Sequence, residues 1–252
     1  MSKALLGTRF FEKYSSRQVK SIARYHLGIS KHHFIHIPKN GGLTIRNSRA
    51  MRQRLVFSDP YFHKSKEYTH DLAKEMNKHG MHHGNQHARL IDIHPEVRRR
   101  LQAVAVIRNP WARTFSRFTF RLHALKAAGK TADFSQEAFR EFLEQRHEYG
   151  GREFFWHRAI KGWFPQLDYV RDENGKLDCD IIRLEHLDDE MMAYFGVNKM
   201  QKRNVSGAKV PKYTGIYTDQ TIQIVADWYK SDVDFFGFDF VGAASKNTHF
   251  KD

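Results

Sequence analysis

Two segments of the sequence, residues 33–46 and 104–118, each combine a strand-like apolar run with a tight turn and the start of a helix. In the first, Pro38 stops the run Phe34–Ile37, and a glycine-containing turn then places Thr44 in the first turn of a helix. The unpaired backbone N–H groups and the dipole of a helix N-terminus favour a bound anion. The first segment therefore predicts an anion-binding loop.

The second segment repeats this pattern further along the chain. Val104–Ile107 is a strand-like run, and Asn109–Pro110 is typical of a turn that starts a helix. The predicted helix begins at Trp111 and carries Arg113, Ser116 and Arg117 in its first two turns. Two anion sites on adjacent strand ends indicate a ligand with phosphate or sulfate groups at both ends.

Strand-like and helix-like segments alternate along the rest of the chain. Predicted strands cover 34–37, 104–107 and 180–184, and predicted helices cover 43–56, 96–101, 111–128, 134–148, 152–161 and 218–232. The His- and Lys-rich stretch 57–87 is predicted to be irregular. The alternation predicts an α/β fold with a central, mostly parallel sheet flanked by helices. We expect one domain over 33–252, preceded by a basic helical arm over 1–32.

The first loop differs from the better-known phosphate-binding loops. A nucleoside-triphosphate loop requires G-x-x-x-x-G-K-[ST], with the lysine after the glycines, whereas Lys39 precedes Gly41 and Gly42. The dinucleotide fingerprint G-x-G-x-x-G is also missing. A lysine at the strand end, two glycines and then a hydroxyl residue suit a sulfonate–phosphate anhydride that binds without a metal.

These residues resemble the sulfotransferase family, particularly the Golgi-type carbohydrate enzymes and their bacterial relatives. P-K-N-G-G-L-T resembles their 5′-phosphosulfate loop, and R-N-P-W-A-R-T-F-S-R-F resembles their 3′-phosphate segment. The resemblance implies a P-loop-like architecture and the donor 3′-phosphoadenosine 5′-phosphosulfate (PAPS). Arg108 and Ser116 would hold its 3′-phosphate, and a continuous run would hold its 5′-phosphosulfate: Lys39, Asn40, Gly41, Gly42, Leu43 and Thr44. Leu43 departs from the usual small hydroxyl residue, which removes one side-chain contact to phosphate.

Later segments extend this resemblance over residues 33–240. They are W-F-P-Q-L-D-Y-V, I-I-R-L-E-H-L and the stretch 224–238. The basic segment 199–217 resembles the family's late cofactor loop, which implies contacts from Lys202, Arg203 and Lys209 to the nucleotide phosphates. A solvated basic loop is the alternative interpretation of these three residues.

Sulfuryl transfer requires a base for the acceptor hydroxyl and a cation for the leaving phosphate. Lys39 suits the second role. In the resembling family a histidine or an acidic residue between the two motifs is the base, and His87 matches that pattern best, with His83 and nearby carboxylates as alternatives. We interpret His36 as a core residue. No zinc motif accompanies these histidines, so no metal is expected.

Arg113, within the second motif, and Glu185, in the later segment I-I-R-L-E-H-L, are interpreted as structural. Arg113 is predicted to orient the loop or to pair with an acidic residue such as Glu185, which itself is not expected to be catalytic. Arg117 lies one helical turn from Arg113 and shares its face.

The composition favours an acidic partner. The 252 residues carry a formal charge of +14, and the isoelectric point is about 9.8. The single cysteine excludes an internal disulfide, and the sequence contains neither an apolar run of the ~18 residues that cross a bilayer nor an evident signal peptide. We therefore expect a cytoplasmic enzyme.

The sequence predicts an enzyme that moves a sulfuryl group from PAPS to an acceptor hydroxyl and releases adenosine 3′,5′-bisphosphate (PAP). The resemblance implies a carbohydrate acceptor, and the basic charge suits an acidic or sulfated one, although a small-molecule or lipid-linked acceptor stays open. A nucleic-acid-binding protein without catalysis is the alternative, but no known nucleic-acid module is present. A nucleotide kinase is a third interpretation, which magnesium dependence would distinguish.

Overall fold

The computed structural model describes residues 14–78, 85–145, 163–197 and 212–250. The described part contains four strands: β1 His32–Ile35, β2 Leu55–Phe57, β3 Gln102–Ile107 and β4 Asp180–Arg183. They form one all-parallel sheet in the order β2-β1-β3-β4. The predicted α/β class with a central parallel sheet is confirmed.

Eleven α-helices flank the sheet within the described residues. They are α1 Ser16–His26, α2 Gly42–Asn47, α3 Arg49–Arg54, α4 Lys66–Lys78, α5 Pro95–Arg100, α6 Pro110–Ala127, α7 Gln136–Glu144, α8 Leu167–Val170, α9 Leu187–Phe195, α10 Asp219–Trp228 and α11 Lys230–Phe236. Short 3₁₀ turns occupy Pro60–Phe62, Asn85–His87, Leu90–Asp92, Leu184–His186 and Tyr213–Gly215.

The central strands β1 and β3 lie side by side with their chain directions aligned. Phe34 pairs with Val104, and Ile35 pairs with Ala105. Because neighbouring parallel strands end at the same edge, the segments that follow β1 and β3 leave the sheet next to each other. The register therefore brings the two predicted anion loops together.

Both faces of the sheet are buried. Along β3, Ala103, Ala105 and Ile107 belong to the larger hydrophobic core, whereas Val104 and Val106 belong to a smaller core on the opposite face. A strand covered on both sides needs no polar face, and this explains the uninterrupted apolar run that the sequence shows there.

The predicted single helix over 43–56 is wrong. The chain leaves helical geometry at Ser48 (φ −67°, ψ 126°), whose hydroxyl accepts a hydrogen bond from the Met51 N–H and starts a second helix, α3. The apolar run Leu55–Phe57 then forms β2, fully buried beside β1. A three-residue strand is too short to show a period in the sequence.

The stretch 57–87, predicted to be irregular, contains α4. The Ser65 hydroxyl accepts a hydrogen bond from the Tyr68 N–H near the start of the helix. Leu72 and Met76, four residues apart, are its buried side chains. Two buried positions among thirteen residues give a weak periodic signal, so the prediction missed this helix.

The remaining helices follow the predictions more closely. The predicted helix 134–148 is α7, while the predicted helix 152–161 lies outside the described residues. The predicted helix 218–232 is interrupted at Tyr229 (φ −111°, ψ 27°), which separates α10 from α11. This break sets Asp232 in α11, where it supports the site described below.

Helix α1 belongs to the same core as the sheet. The Ser15 side chain caps its first turn in a reciprocal pair with Gln18. Ile22 and Tyr25 are buried in the larger core. The helix is thereby held beside the sheet and carries its basic residues with it.

Candidate functional site

The loop after β1 has a backbone that few side chains tolerate. Lys39 has φ of +70° and Gly41 has φ of +75°, both in the left-handed region. A Cβ at Gly41 would lie 2.7 Å from Leu184 Cδ1, and a Cβ at Gly42 would lie 1.9 Å from His36 Nε2. Gly42 is required because the His36 ring lies directly against it.

The start of α2 offers hydrogen-bond donors. No hydrogen bond between described residues uses the backbone N–H of Gly41, Gly42 or Leu43. Their position at a helix N-terminus, where N–H groups lack intrahelical acceptors, favours an anion. Thr44 is buried in the first turn, as predicted, and the Leu43 side chain is 40% exposed.

The loop after β3 is fixed by the side chain of Asn109. Its Oδ1 caps α6 by accepting the N–H groups of Trp111 and Ala112 at 3.0 and 3.1 Å. Its Nδ2 donates to the carbonyl oxygens of Asp239 and Gly242, each at 2.9 Å. The polar residue before Pro110 therefore holds the helix start against the C-terminal segment.

Gln166 joins the two loops. Its Oε1 accepts Asn40 Nδ2 at 2.6 Å and the Arg108 N–H at 2.8 Å, and its Nε2 donates to the Arg108 carbonyl oxygen at 2.8 Å. Asn40 Nδ2 also donates to the Val106 carbonyl oxygen at 2.8 Å. Since the Gln166 side chain is fully buried, it fixes the separation of the loops.

The carboxylate of Asp232 holds the backbone at Gln166 in place. It accepts the backbone N–H groups of Gln166 and Leu167 at 2.8 and 2.9 Å. Burial raises the pKa of this carboxyl to about 6, although these hydrogen bonds and the charge of Arg113 act against the rise. The support of the loops thus extends from the sheet edge into α11.

Two arginines bind the backbone of the first loop. Arg108 donates from a terminal nitrogen to the Lys39 carbonyl oxygen at 3.2 Å. Arg113, which is 1% exposed, donates from Nε to the Pro38 carbonyl oxygen at 3.1 Å and from a terminal nitrogen to the Phe164 carbonyl oxygen at 2.8 Å. Arg113 therefore orients the loop.

The suggested pairing of Arg113 with Glu185 is wrong. Glu185 instead accepts the Asn109 N–H at 2.9 Å, while the buried guanidinium of Arg113 donates to the carbonyl oxygens of Pro38 in the first loop and of Phe164. Burial raises the pKa of Glu185, and the Asn109 N–H and the charge of Arg108 oppose this.

Arg108 is a partly desolvated cation at the junction of the loops. Burial lowers the pKa of its guanidinium, with Glu185 acting in the opposite direction. An arginine stays protonated despite such a shift. A cation that has lost part of its hydration interacts strongly with a phosphate.

Lys39 belongs to the first loop, and Ser116 belongs to the helix that follows the second loop. The Lys39 ammonium lies 4.4 Å from the centre of the Phe120 ring, so its side chain reaches towards α6. Ser116 is half-buried about two turns into α6. Lys39 and Ser116, which were predicted from the two motifs, therefore lie in a loop and in the helix next to the other loop.

His87 lies against the first loop. Its Nδ1 is 2.8 Å from the His36 carbonyl oxygen, and its ring centre is 4.5 Å from that of His36. Because a carbonyl oxygen can only accept, Nδ1 carries a proton, and in the neutral ring the lone pair is therefore on Nε2. The tautomer of His87 is the one that a base acting through Nε2 requires.

Several predicted site residues lie outside the described residues. They are His83, Lys202, Arg203 and Lys209. Among the described residues, no group of three or more histidine, cysteine, aspartate or glutamate side chains is arranged to hold a metal ion.

Three supporting residues were missed by the sequence predictions. His36 was interpreted as core only, and Gln166 and Asp232 were left without a role. Both Gln166 and Asp232 lie inside segments that resemble the family, and this resemblance was the only sequence feature that could have indicated a role for them. Their partners are distant in sequence, for example 126 residues for Asn40 and Gln166.

The sulfotransferase family profile matches residues 28–239, which is most of the chain. No curated protein and no solved structure gave a significant match. The chain belongs to the sulfotransferase family, whose members transfer sulfuryl groups and generally use PAPS as the donor. Its four-stranded parallel sheet and flanking helices agree with the sulfotransferase fold. None of the described helices combines the length and apolarity needed to cross a membrane.

Proposed function

We propose that this protein transfers the sulfuryl group of PAPS to a hydroxyl of a carbohydrate acceptor and releases PAP. The observation that supports this proposal best is the joining of two anion loops at one sheet edge through Gln166 and through the Arg108–Lys39 backbone contact. A nucleotide with a phosphate at each end of its ribose requires two such sites at a fixed separation.

The residues present fit this donor. The N–H groups at the start of α2 have no protein partners among the described residues, because they lie at a helix N-terminus, and the turn before them has a left-handed backbone at Gly41. These N–H groups and Lys39 would hold the 5′-phosphosulfate, while Arg108 and Ser116 would hold the 3′-phosphate. Lys202, Arg203 and Lys209 are proposed to contribute further phosphate contacts.

The proposed transfer forms a bond between sulfur and the acceptor oxygen while the bond between sulfur and the bridging phosphate oxygen breaks. The acceptor hydroxyl gives its proton to His87 Nε2. The negative charge that develops on the leaving phosphate is neutralised by Lys39 and the loop N–H groups. The chain thus supplies the base that accepts the proton and the positive groups that stabilise the leaving phosphate, and no step requires a metal.

Calorimetric titration with PAP tests the proposal. We expect the intact protein to bind PAP with a dissociation constant of about 1 µM. Lys39→Ala should weaken binding by about tenfold or more, because it removes a charge-assisted contact. Lys126→Ala, which removes an exposed lysine in the last turn of α6, about 25 Å along the helix axis from Asn109, is the matched control and should bind like the wild type.

A transfer assay with ³⁵S-labelled PAPS and a set of sulfated and carboxylated glycans tests the chemistry. Label should enter a glycan equally well with and without a chelator of divalent cations. No PAP binding by the intact protein would overturn the proposed function. Binding of ATP with magnesium-dependent phosphoryl transfer would favour the kinase interpretation instead.

A further inference from the structure

A basic cleft lies between α1 and α3, and none of the motifs described above involves it. Its volume is about 260 Å³, and it is partly open to solvent. Five cationic side chains and one amide line it: Arg17, Lys20, Arg24, Arg49, Arg52 and Gln53. We refer to this feature as the basic cleft.

The helix spacing directs these cations into the cleft. On α1, Arg17, Lys20 and Arg24 are separated by three and four residues, so they share one face. On α3, Arg49 and Arg52 are three residues apart. Two helices therefore present cationic stripes to the same space.

The charges in the basic cleft are uncompensated within the described part of the chain. None of its five cations forms an ion pair with a described carboxylate. The nearby Asp59 is paired with Arg46 at 2.6 Å. The Arg24 Nε is buried and has no hydrogen-bond partner among the described residues. Like charges held together repel each other, and a bound anion relieves that cost.

The basic cleft continues towards the anion loop. A smaller hollow shares Arg17, Arg24 and Arg52 with it and extends to Arg46 and Asp59. Arg46 is in α2, about 7.5 Å along the helix axis from the loop residue Gly41 at 1.5 Å per residue. An elongated anion in the basic cleft would reach Arg46, on the helix that begins at the first loop.

We propose that the basic cleft binds an anionic oligosaccharide and holds the acceptor chain beside the donor loops. Arginines dominate the lining, and their planar guanidinium groups bind sulfate and carboxylate in a bidentate manner. No exposed aromatic side chain lines either hollow, since Phe57 is 5% exposed, and stacking platforms for nucleotide bases are therefore missing from the described lining. The acceptor role rests on the proposed function, whereas oligosaccharide binding does not.

Two triple variants with equal loss of charge test this proposal. In one, the cleft residues Arg17, Arg24 and Arg52 are changed to alanine. In the other, exposed lysines elsewhere are changed to alanine: Lys126, Lys130 and Lys176. Each variant loses three positive charges, so a difference between them reports position and not net charge. Binding of a heparin hexasaccharide, maltohexaose and a single-stranded decathymidylate is measured by calorimetry at ~0.15 M salt.

We expect the wild type to bind the heparin hexasaccharide and not maltohexaose. The cleft variant should bind the hexasaccharide at least about tenfold more weakly, and the control variant should lose less than about threefold. PAP affinity should be unchanged in both, which shows that the cleft variant is folded and separates this proposal from the proposed function. Arg52→Ala alone, on partly exposed α3, should give a smaller loss in the same direction.

Three outcomes would overturn the proposal. The first is a wild type that does not bind the hexasaccharide. The second is an equal loss of affinity in the two triple variants. The third is tighter binding of the decathymidylate that depends on the cleft residues, which would assign the cleft to nucleic acid.

Discussion

The contact between Gly42 and His36 predicts that a change usually considered mild will damage the site. A Cβ added at Gly42 would lie 1.9 Å from His36 Nε2 and 2.0 Å from Cδ2. Without that contact, Gly→Ala in a helix would stabilise the fold by about 0.4–1 kcal/mol. With it, the two side chains overlap by about 1.5 Å relative to ordinary van der Waals separation, and one of them has to move.

The His36 ring has little room to retreat. It is 4% exposed and lies 4.5 Å from the His87 ring and 5.9 Å from the Phe34 ring, measured between centres. We therefore expect Gly42→Ala to lower the free energy of unfolding by about 3 kcal/mol, the upper part of the range for overpacked cores. For a chain of this size that corresponds to a fall of about 6–12 °C in Tm.

The assay is chemical unfolding combined with PAP titration. Gly215→Ala is the matched control, because no atom lies within 4 Å of its added Cβ and its φ is not left-handed, and its stability should change by less than about 0.5 kcal/mol. In a double-mutant cycle, His36→Ala should relieve the overlap and give a coupling of at least about 1.5 kcal/mol. A Gly42→Ala protein with wild-type stability and PAP affinity would refute this reasoning.

Further predictions concern three buried polar residues. Gln166→Leu should lower the free energy of unfolding by about 2–5 kcal/mol and weaken PAP binding, because the Arg108 N–H and carbonyl oxygen lose their partner. Unchanged PAP affinity in calorimetry would count against this prediction. His87→Ala should reduce the transfer rate by about 10²–10⁴-fold while PAP affinity holds, and the exposed His123→Ala should do neither in the same ³⁵S assay. Burial lowers the pKa of His33 from 6.5 to about 3, so between these values the unfolded chain binds an extra proton and stability falls as the pH falls. His33→Leu should remove up to about 1.4 kcal/mol per pH unit of that acid sensitivity in urea titrations at pH 4 to 7, and parallel curves for the two proteins would contradict the assignment.

The two loops that follow β1 and β3 could be predicted because their signals are local. The strand β1 ends at Ile35, three residues before the predicted stop at Pro38, and the left-handed turn at Gly41 follows as expected; each effect is decided within a few residues of the chain. Asn109 followed by Pro110 starts a helix for the same reason, by capping and by a preset φ. The parallel arrangement of the strands followed from the alternation of strands with helices.

The support of the site could not be predicted because it depends on tertiary contacts. Gln166 is 58 residues from Arg108 and 126 from Asn40 along the chain, and only the folded sheet brings them together. Arg113 was expected to find a carboxylate, but the fold offers it backbone carbonyl oxygens. Leu55 and Val56 of β2 were assigned to a helix and Phe57 to an irregular stretch, because three apolar residues are too few to show a periodic pattern.

The position of the basic cleft could not be predicted from the sequence either. In the sequence the basic residues are spread over the whole chain, and a net charge of +14 indicates only a preference for anions. Packing of α1 beside β2 brings Arg17 and Arg24 next to Arg52, which lies in the helix that leads into that strand. The position of the cleft is therefore a property of the fold.

The measurement that tests the central claim most directly compares PAP with adenosine 5′-monophosphate in the wild type and in Arg108→Ala. If the two loops form one nucleotide site, the 3′-phosphate should strengthen binding to the wild type by about 100-fold. Arg108→Ala should abolish most of that gain and leave the affinity for the monophosphate within about threefold of the wild type. Equal affinities of the wild type for the two nucleotides, or a gain that survives in Arg108→Ala, would contradict the account.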